Sequence, residues 1–260
     1  MCLAVVARDV HPRYAVVLAA NRDEFHFRPA QPAHWWDDGD LLAGRDVLAG
    51  GTWLGVSRAG RFAFVTNVRD PGRNDPAAPT RGTLVPRVLR DPRPVADAVR
   101  SAVADATRMN GFNLLAGSIT DAAWGSNRAA AVQVLGAGVH GLSNAALDTP
   151  WPKLVHTRDA VAAWARRADE DVEALFAVLA DRRVAPDDRL PRTGVTLDRE
   201  RMLSAAFIAA PDYGTRCSTV LLLDRSGHAR FVERSFDAAG ASTSHVDEHF
   251  TVETRPRVAA

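Results

Sequence analysis

The sequence predicts an α+β fold in which antiparallel sheets carry helices on their outer faces. Three observations lead there. Short β-branched runs come in pairs joined by turn residues, as hairpins do. The hydrophobic pattern switches to a helical period in two separate places. The elements then fall in the order strands, helix, strands, helices, strands, which is not the alternation that builds parallel βαβ units.

Taken in order, CLAVVAR and YAVVLAAN are parted by the turn-forming DVHPR and predict a first hairpin. TWLGVS and RFAFVTN, joined by Arg-Ala-Gly, predict a second. Between them FHFRPAQPAHWWDDGD is rich in proline and aromatics, has no period, and is expected to be a loop. From Asp91 the period changes. Pro94 suits a first helical position, and Val95, Ala98, Val99, Ala102, Val103 and Ala106 recur on one face until Gly111 ends the helix. FNLLAGS, AAWGSN, AAAVQVL and GVHGLSN return to strands with tight turns. Past Trp151-Pro152 the helical period resumes at Leu154, Val161 and Trp164, then at Val172, Leu175, Phe176 and Leu179. A polar stretch, DRRVAPDDRLPRTG, precedes a short helix around Met202–Ile208. STVLLLD and HARFVERS close the chain as a hairpin, followed by a polar tail from about residue 238. No linker forces a division, so residues 1–260 are expected to form one domain.

Composition narrows the function. In 260 residues, 47% are apolar and 24% charged, and the formal net charge is +1. Positive and negative side chains alternate without a basic stripe, which argues against a nucleic acid partner. Lys153 is the single lysine among many arginines, a bias expected from genomic base composition. Cys2 and Cys217 are too few for a disulfide framework or a metal cluster. Neither a membrane span nor a signal peptide is legible, so a cytoplasmic, reducing setting with free thiols is expected. The oligomeric state is not legible.

Two motifs are set aside. Gly136 to Gly141 match G-x-G-x-x-G, but the following LSNAALDTPWP cannot open the long helix that dinucleotide binding requires; a hairpin turn is expected instead. His245 to His249 match H-x-x-E-H, yet the eleven residues after them look extended and supply no further ligand helix, so no metal is expected.

Cys2 raises the functional question. A small residue at position 2 lets the initiator methionine be trimmed, which leaves a thiol and an α-amine on one residue. That pair can act as nucleophile and base. The alternative is a small buried hydrophobe in an opening strand. A catalytic Cys2 needs a group to hold the amine, donors for an oxyanion and a nearby cation. Four strand ends supply such groups. ANRDE ends the second strand, with Asn21 and Asp23 on one face and Arg22 and Glu24 on the other. TNVRD offers Asn67, GLSNAALDTP offers Asn144, and YGTRCSTV offers Arg216.

With MCLAVVA, NRDE followed by F-x-F-R-P, AGGTWLGV, TNVRDP, LSNA-x-LDTPWPK and TRCSTVLLLD, the chain resembles the NRDE proteins, also called the Transport and Golgi Organisation family. The matches run from position 2 to about 235. The resemblance implies an N-terminal nucleophile (Ntn) hydrolase-like fold, a four-layer αββα sandwich, and distant kinship to cysteine Ntn acylases. It implies Cys2 as nucleophile and, through its amine, base; Asp23 as holder of the amine or thiol; Asn67 and Asn144 as the oxyanion hole; and Arg216 near the nucleophile. One departure is Ala20, which stands where those acylases carry an arginine, with Arg22 expected on the opposite face and unable to replace it. Two functions follow as expectations. The first is a cysteine hydrolase of an amide or a thioester, needing no cofactor. The second is a carrier of haem (bound non-covalently), acyl-CoA or a lipid amide, with Asn21, Arg22, Glu24, Arg28 and Arg69 as ligand-binding residues.

Overall fold

The opening hairpin forms as expected. β1 (Cys2–Arg8) pairs antiparallel with β2 (Tyr14–Phe25). In β1, Ala4 and Val6 point into one hydrophobic cluster while Leu3, Val5 and Ala7 point into another. Both faces of the strand are buried, which is why CLAVVA reads as a continuous apolar run without alternation.

In the computed structural model, which describes residues 2–168 and 170–253, the chain continues through β3 (Ala30–Trp35), β4 (Leu41–Asp46), β5 (Leu54–Ser57) and β6 (Phe62–Asn67). Two helices follow, α1 (Leu84–Arg90) and α2 (Val95–Asp105). Next come β7 (Phe112–Gly117), β8 (Ala122–Ser126), β9 (Gln133–Val134) and β10 (Gly138–Leu142). The helices α3 (Pro152–Arg166), α4 (Val172–Leu179) and α5 (Leu197–Leu203) precede β11 (Tyr213–Asp224), β12 (His228–Phe236) and β13 (Ser242–Thr251).

The strands form two antiparallel sheets, β10-β1-β2-β11-β12-β13 and β3-β4-β5-β6-β7-β8-β9. One apolar cluster lies between the sheets, with Val16, Leu18, Phe62, Phe64 and Phe231 at its centre. A second joins the first sheet to α3 and α4, and a third joins the second sheet to α1 and α2. The layers are therefore αββα. No helix among the described residues is long and apolar enough to cross a membrane.

Several local expectations need correction. The stretch 25–40, expected to be a loop, contains β3, and β4 begins directly after it. β3 is an edge strand with a register shift between Gln31 and His34, where Pro32 costs no ladder bond. Helix α1 went unread because it is only seven residues long and carries a proline in its first turn. Helix α2 stops at Asp105, six residues short of Gly111, and α5 starts five residues before Met202. The glycines at 136–138 do not turn a hairpin; β9 and β10 belong to different sheets, so this segment carries the chain across the sandwich. The expected polar tail is the strand β13. Its inward face packs Val246 and Phe250 against the inter-sheet core, while charged residues occupy the outward face. His245 and His249 lie on that outward face, about 13 Å apart at strand spacing, too far to share a metal. The described residues hold no group of three metal-ligating side chains.

Candidate active site

Cys2 begins β1 on the side of the sheet that faces its partner sheet, the same side as Ala4 and Val6. Arg22 is its direct cross-strand neighbour, so the guanidinium leaves β2 on the side of the sulfur. This corrects the expectation that Arg22 faces away. Residues 20 and 22 of a regular strand share a face, so Arg22 brings a cation to the side where Ala20 lacks one. Arg22 is 5% exposed, stacks over the Trp53 ring at 4.3 Å, and lies 3.9 Å from the Asp46 carboxylate.

The facing wall comes from the second sheet. Gly51 and Gly82 cross there with their backbones in contact: a Cβ on Gly51 would sit 2.5 Å from the carbonyl of Gly82. The Thr52 N–H donates to Gly82 O across this crossing at 3.1 Å. AGGTWLGV is thus the sequence of a close approach. It carries Trp53 to Arg22 and brings Thr80 and Arg81 to the rim of the Cys2 cleft. That cleft has a free volume of about 100 Å³ and is lined by Cys2, Arg22, Asp23, Trp53, Asn67 and Arg81 among others.

Burial is the main influence on the Cys2 thiol and pushes its pKa up. The Asp23 charge pushes the same way, while Arg22 and the backbone N–H of Asp23 pull it down. Asp23 is wholly buried. Its Oδ1 accepts a hydrogen bond from Thr215 Oγ1 at 2.7 Å, and its Oδ2 lies 3.9 Å from Lys153 Nζ. Burial raises its pKa, opposed first by Lys153.

The other expected residues divide. Asn67 ends β6 at the cleft. Asn144, just past β10, is brought to Asn67, and its Nδ2 donates to the Asn67 carbonyl at 2.8 Å. It thereby fixes the backbone that carries Asn67. Glu24 and Arg28 line the cleft, Arg28 bonded to Asp46 at 2.7 Å. Asn21 takes a different place: it faces the helical layer, where its Nδ2 donates to Leu179 O and Ala206 O and its Oδ1 accepts from Ser218. It ties the sheet to the end of α4 and has no amide N–H left for a ligand. Arg69 forms a buried ion pair with Glu200 at 2.5 Å and stacks on Trp151, so its charge is already matched. Arg216 sits at a bulge in the β2–β11 pairing. Its Nη1 donates to Phe25 O, His26 O and Arg28 O, so its hydrogen bonds hold the turn after β2.

Lys153, Arg81, Trp53 and Thr215 went unread in the sequence as site residues. Only Lys153 gave a signal, as the single lysine of an arginine-rich chain.

A cysteine that leads a strand into a cleft between two antiparallel sheets, with helices outside both, is the arrangement of an Ntn-hydrolase-like fold. Among solved structures, a conjugated bile acid hydrolase from Clostridium perfringens aligns with a TM-score of 0.51 at 10% identity, covering 98% of this chain and 97% of that one. That structure is of a mutant enzyme, and a second variant of the same enzyme aligns at 0.50. Identity this low speaks for the fold alone. Residues 1–238 match the family described as Transport and Golgi organisation 2, and the chain belongs to that family. It is 36% identical to a Transport and Golgi organization protein 2 homolog of Bos taurus and 34% identical to the one of Homo sapiens, each over 90% of this chain and 93% of the relative. The Drosophila melanogaster protein of that name is 25% identical over 96% of this chain and 99% of its own length.

Proposed function

We propose that the protein is an Ntn-type cysteine hydrolase that cleaves an amide or a thioester, with Cys2 as nucleophile once Met1 has been removed. The observation that carries this reading is the place of Cys2, at the mouth of a polar cleft with Arg22 across from it and Asn67 on the facing sheet. With its pKa raised, the thiol rests protonated and needs a base during attack. In water a cysteine near pKa 8.5 and an α-amine near 8 are closely matched; burial raises the thiol here, so the proton passes to the amine as the sulfur attacks rather than beforehand. Sγ adds to the carbonyl carbon while its proton moves to the amine. The carbonyl π pair moves onto oxygen, where the Asn67 side-chain N–H groups receive it. Collapse expels the amine or thiol, which takes the proton back, and water then cleaves the acyl-enzyme by the same route.

A free volume of about 100 Å³ is small beside the ≈300–1,000 Å³ of drug-sized ligand pockets, so the cleft takes the scissile group and the rest of the substrate lies outside it. A cleft of that size is too small to enclose a haem. Nor do Arg28 and Arg69 favour the carrier reading, since carboxylates already hold them. The fold is shared with a protein named as a conjugated bile acid hydrolase, which agrees with a hydrolase reading, whereas the family's name speaks only of transport and Golgi organisation.

The test is a panel of N-acyl amides and acyl thioesters, with wild-type protein set against Asn67→Ala. Loss of one oxyanion donor is expected to lower kcat by about 10²–10³-fold with KM little changed. Failure to release product from any member of either class above the buffer rate overturns the reading.

A further inference from the structure

Lys153 occupies the second position of α3, with its side chain 2% exposed. A lysine lying on apolar surface normally brings its head to water along the four-carbon stem; this one does not. The first turn of a helix is also the wrong end for a cation, because the N–H dipoles there point outward. Neither packing nor the helix explains an ammonium at this place.

The group it faces is Asp23. Lys153 Nζ makes no hydrogen bond among the described residues, and its ion pair is with Asp23 Oδ2 at 3.9 Å. Around this pair stand Cys2 from β1, Thr215 and Tyr213 from β11, and Arg69 with its partner Glu200 from α5. Burial draws each member toward its neutral form, Lys153 downward and Asp23 upward, and their mutual attraction opposes both shifts. Arginine, whose guanidinium is larger and planar, is not equivalent to the compact ammonium here. That gives the single lysine a physical reason beyond base composition.

We propose that Lys153 is a positioning residue whose buried ammonium keeps Asp23 a carboxylate, so that Asp23 can hold the amine of Cys2. The second half rests on the Ntn reading above; the first half does not. Without the ammonium, nothing of equal strength opposes the burial that draws the Asp23 carboxyl toward its protonated form, in which it holds the amine less well as that amine takes up the thiol proton.

The test exploits the composition. Protein grown with ¹³Cε-lysine, and carrying no lysine in its tag, gives one ε-methylene resonance, which belongs to Lys153. In the wild type this resonance is expected at the ammonium position at pH 7. In Asp23→Asn its titration midpoint is expected to fall by about 1–3 units, the influence of an opposite charge at this range. Where a substrate is cleaved, Lys153→Met is expected to move the acid limb of the kcat/KM profile upward by a similar amount and to recover rate at high pH, while Lys153→Arg, which keeps a cation but not its compact shape, moves the limb less than Lys153→Met does. A neutral Lys153 in the wild type at pH 7, or a midpoint indifferent to Asp23→Asn, overturns the proposal, as does a Lys153→Met loss that is equal at every pH. The expected resonance shift in a protein that cleaves nothing sustains the Lys153–Asp23 pair and removes only the hydrolase reading.

Discussion

Cys2→Ala is expected to fold as the wild type does and to lose turnover by a factor on the order of 10⁶ on every substrate the wild type cleaves, the scale of loss when a covalent nucleophile is removed. The separation of the two effects follows from position. Cys2 is the first residue of β1, its pairing with Arg22 is made by the backbone, and its side chain is half-buried at a cleft rather than locked among aliphatic neighbours. Alanine keeps the strand and removes only the sulfur. Turnover measured beside a urea midpoint separates chemistry from stability. Undiminished turnover in a folded Cys2→Ala protein contradicts the mechanism outright.

The second large effect is on stability. Glu200→Gln is expected to destabilise the protein by about 3–5 kcal/mol, because it leaves the Arg69 guanidinium buried without its counter-charge. The two side chains are 3% and 5% exposed and 2.5 Å apart. The pair joins the segment after β6, which follows Asn67 directly, to α5, so its loss loosens the wall of the cleft. Glu200 Oε1 also accepts from the N–H and hydroxyl of Thr193, bonds that a glutamine oxygen can keep. The effect therefore isolates the charge. The control is Asp247→Asn, which breaks a more exposed pair with Arg230 at 2.7 Å on the outer face of β12 and β13. That change is expected to cost no more than about 1 kcal/mol. Equal urea midpoints for the two variants contradict the assignment of Arg69–Glu200 as a buried structural pair.

What could be read from the chain beforehand follows from the range of the forces involved. Hairpins such as β1–β2, β5–β6 and β11–β12 are local, and each announces itself by a pair of apolar runs around a short turn. The pairing of β2 with β11 joins residues nearly two hundred positions apart and has no local mark. It is nevertheless this contact that brings Thr215 to Asp23 and leaves Arg216 at a bulge. Strand alternation correctly separated Asn21 and Asp23 from Arg22 and Glu24. Assigning Arg22 to the far side failed because residue 20, not residue 21, is its face-mate. The proline in β3 hid a strand because a proline harmless at an edge reads as a break. Lys153 and Arg81 were hidden for another reason: a helix start and a glycine-backed turn deliver them to the site, and neither carries a local sign of what it will face.

Every chemical step proposed for Cys2 needs its own amine to be free. Intact-mass measurement of the purified protein tests this most directly. The account predicts a mass short of the full translation product by one methionine. A mature chain that retains Met1 would give Cys2 a peptide nitrogen in place of an amine, and the hydrolase mechanism would have no base.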